Sequence, residues 1–165
     1  MDHDIKPGPK GRKEGKPTMS FISNLVHFAW ATKNREPMID KSWQDRLYGY
    51  LGGVLKNKNA RLLCAGGMPD HIHAYVSLPA TLSLADAANL MKTNTSKWVH
   101  ETIEFDDFQW QEGYGAFTVS KSGEPHVMQY IRNQEEHHRK RTFKEEFTAL
   151  LDKHGIEYDE RYIWV

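Results

Sequence analysis

The sequence predicts an α+β domain, a central antiparallel sheet with helices packed on one face. Three observations predict it. Short alternating segments near residues 23–32, 60–65, 71–78 and 114–120 read as strands. Apolar residues at helical spacing recur between and after them. Turn residues Gly66-Gly67-Met68-Pro69-Asp70 join the second and third strands too closely for anything but an antiparallel hairpin. The order is strand, helix, strand, strand, helix, strand, then helices, and a sheet with segregated helices accommodates it.

The 165 residues are one domain's worth of chain, with 39% apolar and 12% aromatic residues, enough for a substantial core. Residues 1–18 stand apart. They hold five Lys/Arg, three Asp/Glu and prolines at 7, 9 and 17 without apolar periodicity, and are expected to form a flexible extension. Met19 is a plausible natural start, with the folded domain, 19–165, beginning near Ser20.

In the first strand Leu25, His27, Ala29 and Ala31 alternate with Val26, Phe28 and Trp30, so both faces are expected to be flanked. Asp40 is placed to cap a first helix with a stripe of Trp43, Leu47, Leu51, Val54 and Leu55, reaching about Lys58. Pro79 ends the third strand. Ser83 is then a cap for a second helix with Leu84, Ala87, Leu90, Met91 and Trp98 on its apolar side. The polar side, Lys92, Thr93, Asn94, Ser96 and Lys97, is either a solvated face or a set of phosphate contacts. Tyr114 to Ser120 is the last strand. Pro125 opens a third helix, and Thr142 with Glu145 forms a capping box for a fourth that ends at Gly155. The tail from Ile156 has no clear assignment.

Lys plus Arg equals Asp plus Glu at 22 each, so no overall field draws in nucleic acid and any such binding must be local. A lone cysteine, Cys64, excludes an internal disulfide and fits a reducing compartment. No run is apolar enough for a signal peptide or a membrane span, so a cytoplasmic protein is the expectation.

Two segments carry candidate chemistry. From His71 to Leu78 the residues Ile72, Ala74, Val76 and Leu78 face one way, and His71, His73, Tyr75 and Ser77 the other. The two histidines, roughly 6–7 Å apart along a strand, either converge on one ion or serve as hydrogen-bonded or solvent-facing imidazoles. On the third helix Val127, Tyr130, Ile131 and Gln134 fall at i, i+3, i+4 and i+7 and share a face. Either Tyr130 is a core ring with a satisfied hydroxyl, or it presents a phenol beside a Gln134 carbonyl able to ligate a hard cation. Asp70 is either a turn residue or an orienting partner for His71.

His71-Ile72-His73, followed about sixty residues later by Tyr130-x-x-x-Gln134, resembles the single-tyrosine transposases of the histidine-hydrophobe-histidine nuclease superfamily, including the REP-associated tyrosine transposases. The segments Trp30-Ala31-Thr32-Lys33-Asn34-Arg35, Met68-Pro69-Asp70-His71, Trp110-Gln111-x-Gly113-Tyr114-Gly115-Ala116-Phe117 and His154-Gly155-Ile156-Glu157-Tyr158 add to the resemblance. It spans roughly Met19 to Val165.

The resemblance implies a ferredoxin-like or RNA-recognition-like sheet, its second face free for metal and DNA, with a C-terminal helix carrying the tyrosine. It implies Mg²⁺ or Mn²⁺ held by His71, His73 and Gln134, attack by Tyr130 on single-stranded or stem-loop DNA, and a 5′-phosphotyrosyl intermediate formed without a nucleotide cofactor. It implies a homodimer, with Lys121-Ser122-Gly123-Glu124 as the flexible connector through which subunits exchange tyrosine helices. Lys92, Lys97, Lys121 and Arg132 are the candidate backbone contacts. A domesticated relative that holds hairpin DNA without cutting it, or an unrelated metal-dependent hydrolase, are the competing readings.

Overall fold

The computed structural model describes residues 21–164. The expected extension, 1–18, and the start near Ser20 lie outside the described residues. Strands Leu25–Ala31 (β1), Arg61–Met68 (β2), His71–Ser77 (β3) and Gly115–Thr118 (β4) form one sheet in the order β2-β3-β1-β4. Each neighbouring pair is antiparallel, so the α+β antiparallel fold is as expected. The described helices are Lys41–Lys56 (α1), Leu84–Trp98 (α2), Glu124–Arg132 (α3), Gln134–His138 (α4) and Phe143–Lys153 (α5).

One sheet face makes the main core. Val26, Phe28 and Trp30 of β1 and Ile72, Ala74 and Val76 of β3 pack beneath Leu47, Leu51 and Leu55 of α1 and Ala87, Ala88 and Met91 of α2. These positions are the ones the two periodicities select, period 2 in the strands and 3–4 in the helices. Both helices start where their caps stand: the Ser42 amide donates to Asp40 Oδ1 at 2.8 Å and the Asp86 amide to Ser83 Oγ at 3.1 Å. α2 then runs into a wider π-type turn, Val99–Ile103, which ends at Glu104 with φ 61°.

The second face is covered more than expected. Ala29, Ala31 and Phe117 lie under Phe143, Phe147 and Leu151 of α5, while Leu25 and Tyr75 meet Ile131 of α3. The reason is physical: these strand residues are apolar too, and every residue of β1 is buried. Tyr130 lies on α3, and α4 and α5 follow it in the chain.

Gly66 and Gly67, read as turn residues, belong instead to β2, and the turn shrinks to Pro69-Asp70. A Cβ on Gly66 would sit 2.3 Å from the carbonyl oxygen of Ile131, so the missing side chain lets the end of α3 rest against β2. The third helix also differs from expectation. It ends at Arg132, Asn133 leaves helical geometry at φ −98°, ψ 25°, and Gln134 begins α4. The Lys121–Gly123 connector is a 3-10 turn in which the Gly123 amide donates to Ser120 Oγ at 3.1 Å, rather than an open linker.

Candidate active site

The site is assembled on the second face, above the centre of the sheet. His71 and His73 project from β3 with both side chains fully buried, their ring centroids 5.2 Å apart and their planes nearly perpendicular. Small neighbours make room for them. Across β1 the partners of His73 and His71 are Ala29 and Ala31, and across β2 the partner of His73 is Gly66.

Each ring is fixed at its Nδ1. His71 Nδ1 lies 2.7 Å from Asp70 Oδ1, so the turn aspartate is also an orienting partner. His73 Nδ1 lies 2.9 Å from Nε2 of His27, a β1 histidine not singled out from the sequence. Burial, followed by the nearness of His73, holds His27 well below the usual imidazole range, so this pair shares one hydrogen bond between neutral rings. The Nε2 atoms of both strand histidines are thereby turned toward the helices.

There they meet α3, α4 and α5. His71 Nε2 is 3.2 Å from Gln134 Oε1. The break at Asn133 leaves Gln134 buried, pointing at the strand. The Tyr130 ring stands edge-on to His73 with centroids 5.6 Å apart. The structure thus brings His71, His73, Gln134 and Tyr130 together within one chain.

Two further residues join them. Glu146 of α5 is buried, and its Oε1 accepts from the Tyr130 hydroxyl and, at 3.0 Å, from Gln134 Nε2. Its Oε2 is 2.8 Å from His138 Nε2 and 3.6 Å from Nε2 of both His71 and His73. His71, His138 and Glu146 each offer a ligand atom, all within 4.8 Å of one another. Burial alone would raise the Glu146 carboxyl, but His138 and His73 beside it hold it far below the usual range, so it is ionised. Burial, then Glu146, raises the Tyr130 hydroxyl, which stays protonated and donates.

Glu146 had one legible signal. Phe143, Glu146, Phe147 and Leu151 share a helix face, so a carboxylate stands within an apolar stripe. His138, in a short polar helix, had none.

The cluster suits a divalent cation. His73 Nε2 is fully buried without a hydrogen-bond partner, an expensive orphan that a metal would satisfy. Imidazole nitrogens with an amide oxygen nearby are donors for Mn²⁺ or similar ions.

Beside Tyr130 a cleft of about 690 Å³ opens between β4, α3 and α5. Its lining includes Phe117, His126, Lys140, Arg141, Lys153 and His154. Of the candidate DNA contacts, Lys121 precedes α3, where its Nζ donates to Glu124 Oε1 at 2.6 Å, and Arg132 is the last residue of α3. Lys92 and Lys97 lie on α2, against the opposite sheet face, where Lys92 Nζ donates to the Glu112 carbonyl at 2.6 Å and Lys97 pairs with Glu101 at 3.7 Å.

Fold and site together define a class of small α+β proteins with paired strand histidines beneath a helix tyrosine and a glutamine. Residues 20–134 match the family described as Transposase IS200 like, and the chain belongs to that family. The transposases for insertion sequence element IS200 of Salmonella typhimurium and Salmonella typhi are each 26% identical over 132 residues, which span 70% of this chain and 85% of theirs. Among solved structures, a protein of Deinococcus radiodurans R1 assigned as a transposase superposes with a TM-score of 0.54 at 22% identity, over 74% of this chain and 98% of its own. A REP-associated tyrosine transposase bound to a REP hairpin gives 0.56 at 14% identity, over 75% of this chain and 74% of its own. At those identities the two structures speak for the fold. The family match ends at Gln134, so His138 and Glu146 lie beyond it.

Proposed function

We propose that this transposase cuts and rejoins single-stranded, hairpin-bearing DNA through Tyr130, with His71, His73 and Gln134 holding Mg²⁺ or Mn²⁺. The observation that carries the reading is the Tyr130 ring edge-on to the buried His73 imidazole, whose Nε2 has no partner, with His71 beside it. A phenol ionises near pH 10 in water, so a buried phenol beside a carboxylate needs cationic help to become a nucleophile. A divalent ion bound there supplies that help and polarises the scissile phosphate.

Tyr130 Oη bonds to phosphorus as the bond from phosphorus to the 3′ oxygen breaks. The phenol loses its proton and the departing 3′ oxygen gains one. The product is a 5′-phosphotyrosyl protein and a free 3′-hydroxyl, and reversal with another 3′ end rejoins the strand without ATP. The cleft beside Tyr130, rimmed by Lys140, Arg141 and Lys153, suits the flanking phosphates. Hairpin DNA is the substrate this reading favours, given the REP hairpin on the structural relative. A second copy of the chain is the expected partner.

The test is a labelled single-stranded hairpin incubated with Mn²⁺ and resolved on a denaturing gel. A slower, protease-sensitive band is expected, lost in Tyr130→Phe and in His71→Ala. Tight hairpin binding by the wild type with no such band would leave a DNA-binding relative without cleavage.

A further inference from the structure

Resting on that reading of the site, we propose that Glu146, with His138, completes the metal centre, giving a carboxylate and third-imidazole ligand pair supplied by the C-terminal helices outside the family match. Three observations converge on Glu146. It is buried on α5 within an apolar stripe, where a carboxylate is costly unless compensated. Its Oε2 faces three imidazole Nε2 atoms at once, those of His138, His71 and His73. One of these, His73 Nε2, is fully buried with no hydrogen-bond partner, although the carboxylate is only 3.6 Å away. That separation is too long for a hydrogen bond and leaves the nitrogen aimed at a shared point.

The carboxylate is shared between two tasks. Oε2 looks toward the imidazoles, and Oε1 accepts from Tyr130 and Gln134. One side chain therefore links the ion's ligands to the phenol. The His138 ring lies tilted against that of His71 with centroids 4.5 Å apart, and the two histidines and Glu146 each offer a ligand atom within 4.8 Å of the others.

The chemistry of this set differs from that of two histidines and an amide. A third imidazole makes the donors softer, and one carboxylate halves the net charge of a bound dication. The third imidazole favours Mn²⁺ or Co²⁺ over Mg²⁺, which prefers oxygen donors and keeps several waters, while the carboxylate tightens the hold on any dication. Holding one of these ligands, Glu146, on α5 also ties metal binding to the docking of that helix.

The experiment measures Mn²⁺ affinity of the full chain by calorimetry, with Mn²⁺-dependent thermal stabilisation as a second readout. Glu146→Gln keeps the shape and removes the charge, and Mn²⁺ affinity is expected to fall by about tenfold or more, with His138→Ala weakening it as well. The preference for Mn²⁺ over Mg²⁺ is expected to shrink in His138→Ala, which loses the softer donor. His138 sits on the short helix α4, outside the apolar stripe of α5, so its variant tests the centre even if Glu146→Gln lowers folding stability. Wild-type Mn²⁺ affinity in both variants overturns the inference, as does loss of thermal stability in both without any loss of affinity. Failure of the underlying reading looks different: the wild type binds Mn²⁺ yet forms no Tyr130-dependent DNA adduct.

Discussion

Gly66 shows how a single hydrogen atom in place of a side chain sets the site. The Ile131 carbonyl occupies the space a Cβ would need, and Ile131 is the neighbour of Tyr130. Gly66→Ala must push α3 outward, at a cost of about 1–3 kcal/mol from overpacking. Chemical denaturation is expected to show that loss, and the hairpin adduct should fall even under conditions where the variant stays folded. The same residue marks a limit of sequence reading. A glycine pair before Pro-Asp suggests a turn on local grounds, whereas pairing with His73 and Ile72 of β3 keeps the backbone extended and the helix sixty-five residues later needs the bare Gly66. His71 and His73 were legible because strand alternation dictates where they face. His27 was not, because its partner is a residue on another strand.

Among the elements, α5 was read well and its purpose was not. The capping box is present: the Glu145 amide donates to Thr142 Oγ1 at 3.3 Å, and the Thr142 amide donates back to Glu145 Oε2 at 2.7 Å. Thr142→Ala is expected to cost about 1 kcal/mol, measured by thermal or urea unfolding. The Glu145 carboxyl is held below its usual value by the Thr142 backbone and side chain, so the box is complete above the ordinary glutamate range. Its contribution fades as pH drops through the lowered value, an acid-side loss absent from Glu145→Gln. The expectation of one helix through Gln134 failed for a reason of the same kind. Periodicity reports which residues share a side, and Tyr130 and Gln134 do share one site. It does not report that the backbone bends at Asn133 to aim Gln134 at His71.

At the scale of the whole molecule, equal numbers of acidic and basic residues exclude a general attraction for DNA, and the structure concentrates cations locally instead. Lys140, Arg141 and Lys153 border the cleft beside Tyr130, whereas Lys92 and Lys97 serve the opposite side of the sheet. Replacing Lys140 or Arg141 by alanine should weaken hairpin affinity whatever the sequence, and reduce the slope of log affinity against log salt by about one per contact. Lys92→Ala should leave that slope unchanged while loosening the loop at Glu112. The fold class was visible from the order of elements. The cleft was not, since it is bounded by residues that come together only when α5 folds back over β4.

That return of α5 has a consequence for how the protein tolerates shortening. A version ending near residue 140 would keep the whole family-matched portion and still strip the lid from Ala29, Ala31 and Phe117. What remains is a greasy strip along the open side of a four-stranded ribbon, the kind of surface that makes molecules clump. Light scattering is expected to report large particles for the shortened protein where the intact chain stays dispersed.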